Sequence, residues 1–270
     1  MENSTPESPY VLDQMSGPVL WLTLNRPEQR NPLSSSMIAA LHQQLHNANS
    51  NEAVRAIVIT ANGPVFSSGH DLKEMSGRRA GVEPDTEMRV RDVLDACAEM
   101  MLALVASPKP IIAAVQGVAS AAGCQLVSMC DLALASEDVR FCTPGVNIGT
   151  FCTTPLVGIG RNMHRKHAME MALTGDLFSA EDAVRFGLIN RTVPLDQLHS
   201  EVEALAQRIA AKSSVGIAKG KAAFYAQIEQ PIREAYRDAG CAMLDAMTTQ
   251  ECEEGVDAFL GKRQPQWQGL

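Results

Sequence analysis

The chain of 270 residues is predicted to fold as an α/β core followed by a helical C-terminal region. In the first half, short apolar runs rich in β-branched residues alternate with stretches whose apolar residues recur at helical spacing. After about Gly160 the pattern becomes almost entirely helical. Strands that alternate with helices favour βαβ units and a mostly parallel sheet. We therefore divide the chain into a core over residues 1–195 and a helical region over residues 196–270.

Four short apolar runs are predicted to be strands. They are Val19–Leu24, Ala56–Thr60, Ile111–Val115 and Asp131–Ser136. The first run ends at Asn25-Arg26-Pro27 and the second at Asn62-Gly63-Pro64, both of which favour turns. The segment Gly77–Asp85 combines charged residues with glycine and proline, so it is predicted to be a surface loop.

Apolar residues at helical spacing predict seven helices. They are Ser34–Asn49, Thr86–Ala106, Gly123–Met129, Leu195–Lys212, Val215–Ile228, Ile232–Met247 and Glu251–Leu260. The last four form a layer too thin to fold alone. We expect them to pack on the core of the same chain or on neighbouring subunits.

The composition excludes several classes of function. The formal net charge of −8 argues against nucleic acid as a partner, because phosphate binding needs a basic surface. No apolar run reaches the roughly 18 residues of a membrane-spanning helix, so no membrane association is expected. The polar N-terminus and the seven cysteines without a CxxC pair are typical of a reduced, cytoplasmic protein.

Five stretches of the sequence are together specific in their order and spacing. They are Asn25-Arg26-Pro27 with Asn31 and Leu33, then Phe66–Met75, Pro110–Cys130, Met171–Gly187 and Phe259–Arg263. On these stretches the chain resembles the crotonase (enoyl-CoA hydratase/isomerase) superfamily over nearly its whole length. The sequences of Phe66–Met75 and Thr143–Pro155 differ from those of conventional hydratases and resemble a separate subgroup.

The resemblance implies a crotonase-like ββα spiral core with a C-terminal helical trimerisation region. It implies that the substrate is an acyl-CoA thioester of fatty acid or related metabolism, with no cofactor beyond that thioester. It also implies assembly as a homotrimer or as a dimer of trimers.

The common step of the family stabilises an enolate at the thioester with two backbone N–H groups, the oxyanion hole. By motif position, the resemblance assigns these donors to His70 and Ala122. Because Gly123–Met129 is predicted to be helical, Ala122 should lie at a helix N-terminus, where the dipole favours negative charge. The family commonly has glycine at the position of Ala122, so its methyl group should narrow the pocket without removing the donor.

The two glutamates with which conventional hydratases of the family add water are both missing. The matching positions are Gln125 and Gly145. An amide cannot exchange protons near neutral pH and glycine has no side chain, so we predict that the chain is not a conventional enoyl-CoA hydratase. If the pocket otherwise suits hydration, glutamate at both positions should raise hydratase activity.

Several side chains are candidates to replace the missing acid/base groups. The segment after the second motif offers Thr143, Asn147, Cys152, Thr153 and Thr154. Cys152 would need a lowered pKa to act as a nucleophile, and small apolar packing is the simpler role for Cys152, Cys124 and Cys142. The His70 imidazole titrates near neutral pH, but the motif explains only its backbone.

Coenzyme A needs cations for its phosphates, and the resemblance assigns this task to Lys73 and Lys262. Phe259 lies on the same helix as Lys262, and in the family this helix often comes from a neighbouring subunit. Ser68 and Asp71 flank the first oxyanion donor and are grouped with the binding site. For Asp71, a structural hydrogen-bond acceptor is the simpler role.

Two interpretations of the function stay open. The chain is either an enzyme of lyase or isomerase type with unusual acid/base groups, or a non-catalytic acyl-CoA binder or regulatory subunit. Decarboxylation, isomerisation, thioester hydrolysis and addition to a special enoyl-CoA all fit the first. A nucleotide-binding protein is disfavoured because no GxGxxG or GxxxxGK[ST] motif occurs. No metal site is expected, because His42 and His46 lack a third ligand.

Overall fold

The computed structural model describes residues 8–75 and 86–269, and the strands within them form two sheets. These strands are β1 (Val11–Ser16), β2 (Val19–Leu24), β3 (Ala56–Ala61), β4 (Ile111–Val115), β5 (Val118–Ser120), β6 (Leu132–Ser136), β7 (Arg140–Cys142), β8 (Phe178–Ser179) and β9 (Arg191–Val193). The larger sheet has six strands in the order β1-β2-β3-β4-β6-β9, and the smaller has three in the order β5-β7-β8. In the larger sheet, β1 is antiparallel to β2 and every other pair is parallel.

Eleven α-helices occur in the described residues. They are α1 (Ser35–Ser50), α2 (Leu72–Met75), α3 (Thr86–Ala106), α4 (Ala122–Met129), α5 (Pro155–Asn162), α6 (Arg165–Thr174), α7 (Ala180–Phe186), α8 (Leu195–Ala210), α9 (Ser214–Gln227), α10 (Ile232–Met247) and α11 (Gln250–Leu260). Two short 3₁₀ helices lie at Pro27–Gln29 and Pro144–Ile148. Within this part of the chain, no helix is both long enough and apolar enough to cross a membrane.

The central strands β2, β3, β4 and β6 of the larger sheet are buried on both faces, which explains why they are almost continuously apolar. Successive side chains point to opposite faces, so Ile57 and Ile59 of β3 belong to one core cluster while Val58 belongs to another. The first cluster includes α1, α3 and α4, and the second is closed by α8. The core therefore has two layers of helices with the parallel sheet between them.

The structure confirms most of the predicted elements. The strands Val19–Leu24 and Ile111–Val115 and the helices Thr86–Ala106 and Ile232–Met247 have the predicted bounds. The other predicted strands and helices are present with ends that differ by one or two residues. The predicted loop Gly77–Asp85 lies outside the described residues.

The prediction of an almost entirely helical chain after Gly160 is wrong at two places. The residues of β8 and β9 are strands, and β9 extends the larger sheet beside β6. Each is only two or three residues long, too short for an alternating pattern to be visible in the sequence. The edge strand β1 was also not predicted, because half of its residues are polar and most are exposed.

The first helix of the predicted C-terminal region is part of the core. Leu198, Val202 and Ala206 of α8 are buried against β2, β3, β4 and β6. The division of the chain at residue 195 stays a prediction.

The remaining C-terminal helices expose large apolar side chains. On α9, α10 and α11 these are Phe224, Ile232, Tyr236, Met243, Leu244, Met247, Val256, Phe259 and Leu260. We call this set the C-terminal apolar face. Its side chains stay in contact with water in the single chain, which is unfavourable for groups of this size.

A buried ion pair anchors α9 to the core. The Lys221 Nζ lies 2.7 Å from the Asp131 Oδ2 and also donates to the carbonyl oxygens of Leu104 and Lys109, both at 3.0 Å. Asp131 accepts a further hydrogen bond from the Tyr225 hydroxyl at 3.0 Å. The side chains of Lys221 and Asp131 are only 8% and 17% exposed, so the pair is shielded from water.

We expect the substitution Lys221→Met to lower the free energy of unfolding by about 3–5 kcal/mol, because it leaves a buried carboxylate without its cation. The matched control is Lys219→Met on the same helix, which removes a cation paired with Asp245 in a more exposed place. That control should cost about 0–1 kcal/mol. Urea unfolding followed by circular dichroism measures both, and equal costs would contradict the anchoring role.

Candidate active site

Two backbone turns, residues 67–70 and 119–123, meet at the centre of the site. Ser67 forms a parallel bridge with Ala119, and its carbonyl oxygen accepts a hydrogen bond from the Ser120 N–H at 2.9 Å. Gly69 has a φ of +87°, and a Cβ there would lie only 3.2 Å from the Ala122 nitrogen. Glycine at this position therefore permits both the conformation and the close approach.

The second turn is equally constrained. A Cβ at Gly123 would lie 2.6 Å from the Ser67 carbonyl oxygen, so the start of α4 packs directly on the first turn. Ala121, immediately before the helix, has φ 50° and ψ −117°, a combination that residues with a side chain rarely adopt. Such strain is typical of functional sites, where the surrounding structure holds the residue in place.

The two predicted oxyanion donors lie on these turns. Ala122 is the first residue of α4, so its N–H has no acceptor within the helix. Among the hydrogen bonds of the described residues, none has the His70 or the Ala122 N–H as its donor. Gly69, the residue before His70, packs against Ala122, so the turns that carry the His70 and Ala122 N–H groups are in contact.

The His70 side chain is neutral near pH 7. Its Nδ1 lies 3.4 Å from the Leu33 carbonyl oxygen, and its buried Nε2 has no hydrogen-bond partner. Burial lowers the pKa of the imidazole below its ordinary value of 6.5, because the charged form loses hydration. The ring is therefore a weak base with one nitrogen free to accept a proton.

Gln125 and Thr143 are buried polar residues without partners. The Gln125 Oε1 and the Thr143 Oγ1 are both shielded from solvent and make no hydrogen bond. Gln125 lies one helical turn after Ala121, and the Ala121 N–H donates to the carbonyl oxygen of Cys142, the residue before Thr143. Buried polar groups are almost always satisfied, so these two are candidates to bind a ligand.

Gly145 faces a segment of chain that fills the place of a side chain. A Cβ at Gly145 would lie 2.9 Å from the Cys152 nitrogen and 3.0 Å from its Sγ. A side chain at residue 145 would therefore collide with this segment unless the segment moved. Sequence spacing could not reveal this, because it is the return of the chain at residues 151–152 that occupies the space.

The three cysteines near the site are thiols. Burial raises the pKa of Cys124, Cys142 and Cys152, because a thiolate loses hydration in an apolar environment. A nucleophilic thiolate at Cys152 is thus disfavoured. Of the other candidates in this segment, Asn147 and Thr153 are exposed, and the Asn147 side chain lies beside Gly175.

The predicted CoA-binding residues near the first turn have defined positions. The Ser68 N–H donates to the Arg30 carbonyl oxygen at 3.0 Å. The Asp71 carboxylate accepts from the Lys73 N–H at 2.8 Å and thereby starts α2, which fits a structural acceptor. Lys73 is exposed and lines a cavity of about 550 Å³ between α1, α2 and α3.

Phe259 and Lys262 lie elsewhere in the chain. Phe259 is 82% exposed and borders a hollow formed by α9, α10, α11 and Trp267. Lys262 follows α11 and is also exposed. In the described part of the chain, no hydrogen bond, ion pair or ring contact connects either residue with the turns around His70 and Ala122.

Comparison with known proteins identifies the family. The model of the enoyl-CoA hydratase/isomerase family matches residues 14–270. The chain belongs to this family. It is 45% identical to enoyl-CoA hydratase domain-containing protein 3 of Rattus norvegicus over 246 residues, which cover 91% of this chain and 80% of the relative. The human counterpart is 43% identical, with 91% and 79% covered. These matches confirm that the chain resembles the subgroup of enoyl-CoA hydratase domain-containing protein 3.

Solved structures of similar proteins confirm that the chain has the crotonase fold. An enoyl-CoA hydratase of Mycobacterium smegmatis aligns with a TM-score of 0.90 at 46% identity, covering 96% of this chain and 99% of that one. Human enoyl-CoA hydratase domain-containing protein 3 aligns with a TM-score of 0.90 at 39% identity, covering 96% and 100%. The ββα spiral description and the trimerisation region stay predictions.

The predicted cytoplasmic location is not supported. The relatives from Rattus norvegicus and Danio rerio carry the word mitochondrial in their names. No group of three or more His, Cys, Asp or Glu residues suited to a metal ion occurs within residues 8–75 and 86–269.

We expect Gly69→Ala to destabilise the protein more than Gly149→Ala. Both glycines have positive φ values, +87° and +78°, so each substitution should cost about 1–2 kcal/mol of backbone strain. Only the Gly69 methyl group meets neighbours, which should add about 1–3 kcal/mol. Chemical denaturation measures the difference, and equal losses would show that the two turns can separate at little cost.

Proposed function

We propose that this family member is an enzyme of lyase or isomerase type that binds acyl-CoA and polarises the thioester carbonyl with the His70 and Ala122 N–H groups. The observation that carries the proposal is the contact of Gly69 with Ala122, beside which both N–H groups are unpaired. Each donor of an oxyanion hole contributes roughly 2.7–4 kcal/mol to stabilising the transition state. The family membership supports a CoA thioester as the ligand.

The proposed reaction is not the hydration of ordinary enoyl-CoA. Water addition needs a base and an acid, but position 125 holds an amide and position 145 has no side chain. Some relatives are named hydratases, among them a probable enoyl-CoA hydratase of Dictyostelium discoideum at 33% identity. The chain departs at these two positions from what conventional hydration requires.

A non-catalytic acyl-CoA binder is the second candidate. It is favoured by the same observation that argues against hydration, namely the absence of an ionisable side chain at positions 125 and 145. The strained Ala121 and the unpaired buried groups indicate a functional site and fit either candidate, because strain is stored at ligand clamps as well as at active sites.

The proposed CoA site is shared between two copies of the chain. Lys73, with Ser68 and Asp71 beside it, belongs to one copy, while Phe259 and Lys262 are exposed and come from a second. The C-terminal apolar face supports this arrangement, because its large side chains would be buried by a neighbouring subunit. A homotrimer or a dimer of trimers is the proposed assembly.

We expect Lys73→Ala and Lys262→Ala each to weaken butyryl-CoA binding roughly tenfold, the effect of losing a charge-assisted hydrogen bond to a phosphate. Lys166→Ala, which removes an exposed lysine on α6, is the matched control. Isothermal titration calorimetry measures the affinities, and light scattering gives the mass of each variant. Unchanged affinity in both variants would contradict the proposed CoA site.

We expect slow hydration of crotonyl-CoA by the unmodified protein, roughly 100-fold or more below that of an enzyme with both glutamates. The double variant Gln125→Glu, Gly145→Glu should gain no activity, because a side chain at residue 145 meets Cys152. Loss of the enoyl absorbance measures the rate. Efficient hydration by the unmodified protein would overturn the interpretation of both positions.

A further inference from the structure

Lysine occupies a backbone position at the end of α11 where glycine is usual. The Arg263 N–H donates to the Ala258 carbonyl oxygen at 2.9 Å. The Lys262 N–H donates to the Phe259 carbonyl oxygen at 3.2 Å. These two hydrogen bonds define a Schellman motif, in which the residue after the cap is left-handed and is most often glycine. Lys262 is that residue, with a φ of +50° that residues with a Cβ rarely adopt.

The Lys262 side chain has no part in forming this motif. The motif uses only backbone groups, and glycine would form it with less strain. The Lys262 ammonium is exposed and makes no hydrogen bond or ion pair with any residue in the described part of the chain. Backbone strain is typical of residues that bind ligands. The strain at this lysine therefore points to a task for its cation outside the chain.

A carboxylate earlier on α11 fixes the residue that follows Lys262. The Arg263 Nη1 donates to the Glu254 Oε1 at 2.6 Å, and the Arg263 Nη2 donates to the Glu254 Oε2 at 2.7 Å. Two parallel hydrogen bonds between a guanidinium and a carboxylate define the orientation of both groups. The Gln266 N–H also donates to the Glu254 Oε1, at 2.6 Å. The turn that contains Lys262 is thus closed by side chains as well as by the backbone.

The chain after this turn is also held against the protein. The Glu251 Oε1 accepts hydrogen bonds from the N–H groups of Gln268 and Gly269, at 2.6 and 3.0 Å. The Trp267 indole N–H donates to the carbonyl oxygen of the residue after α8, at 3.0 Å. Lys262 therefore lies at a bend between two fixed segments, α11 and the returning tail.

We propose that Glu254 is a positioning residue for coenzyme A. By holding Arg263 it keeps the left-handed turn and directs the Lys262 ammonium at a phosphate of the CoA bound by the neighbouring copy. This inference rests on the proposed function. The lysine side chain is a flexible four-carbon stem, so the protein controls the reach of the ammonium mainly through the backbone. Without the contact to Arg263 the cation would sample more positions, which lowers its affinity for the phosphate.

The sign of the effect separates positioning from simple electrostatics. Coenzyme A is a polyanion, so removal of a nearby carboxylate should by itself strengthen its binding. A positioning role predicts weaker binding when Glu254 loses its charge. A role in stability alone predicts no change in affinity, because a partly exposed ion pair contributes little to folding.

Isothermal titration calorimetry of the whole chain with butyryl-CoA tests the role of Glu254. We expect Glu254→Gln to weaken binding roughly fivefold, because the lysine keeps its charge but loses its fixed position. Unchanged or tighter binding would overturn the inference and leave the proposed CoA site intact. Light scattering should give the same mass before and after the substitution. A changed mass would also overturn the inference, because Glu254 would then act on the assembly.

The matched control is Glu253→Gln. Glu253 is the adjacent residue of α11, and its side chain is exposed and forms no hydrogen bond or ion pair within the described residues. The substitution removes the same charge from the same helix, so the affinity for butyryl-CoA should stay equal or rise slightly. An equal loss in both variants would contradict the specific role of Glu254.

A double-mutant cycle tests whether Glu254 acts through Lys262. Lys262→Gly removes the ammonium and supplies the residue that the turn prefers, so binding should weaken roughly tenfold without a lower midpoint of urea unfolding. Adding Glu254→Gln to this variant should change the affinity by less than roughly twofold. A further loss of roughly fivefold would show that Glu254 acts elsewhere and would overturn the inference.

Three further outcomes separate this inference from the proposed function. A lower unfolding midpoint in Lys262→Gly would show that the lysine serves the fold, which overturns the inference. Loss of affinity in Lys73→Ala but not in Lys262→Gly would overturn only the roles given to Lys262 and Glu254. Unchanged affinity for butyryl-CoA in both variants would overturn the proposed CoA site as well.

Discussion

The contact between the turns at residues 67–70 and 119–123 is the constraint on which the site depends. Gly69 and Gly123 each pack against the opposite turn so closely that a single methyl group would collide with backbone atoms. The contact fixes where α4 begins and leaves two N–H groups without acceptors. Burial of the sheet supports this arrangement, because β4 leads into the second turn from the centre of the core.

The layers around the sheet explain how a strained turn persists. Ala121 holds a backbone conformation that costs of order 1–3 kcal/mol, and the energy must come from the packing around it. α4 is buried along nearly its whole length, and the Asp131–Lys221 pair fixes the segment that follows it to α9. The site is therefore supported from the core rather than from the surface.

The sequence allowed most of the fold to be predicted, because long apolar patterns reveal period and length. Thr86–Ala106 and Ile232–Met247 had their bounds correct for this reason. Of the missed strands, β1 is half polar and mostly exposed, and β8 and β9 are very short strands that pair with distant parts of the chain. Motif position selected His70, Ala122, Gln125 and Gly145 as candidates, and their roles stay predictions. It could not show that Cys152 fills the space beside Gly145, since only the folded chain brings them together.

The proposed oxyanion donors belong to the main chain, and this has a consequence for how the protein tolerates mutation. Every amino acid except proline supplies the same N–H group, so nearly any single exchange at residues 70 and 122 keeps both donors. An inserted or deleted residue in either turn would instead shift the register and misplace a donor. Natural variants of such a protein should therefore change the chemistry by point mutation in the surrounding side chains, while the lengths of the two turns stay fixed.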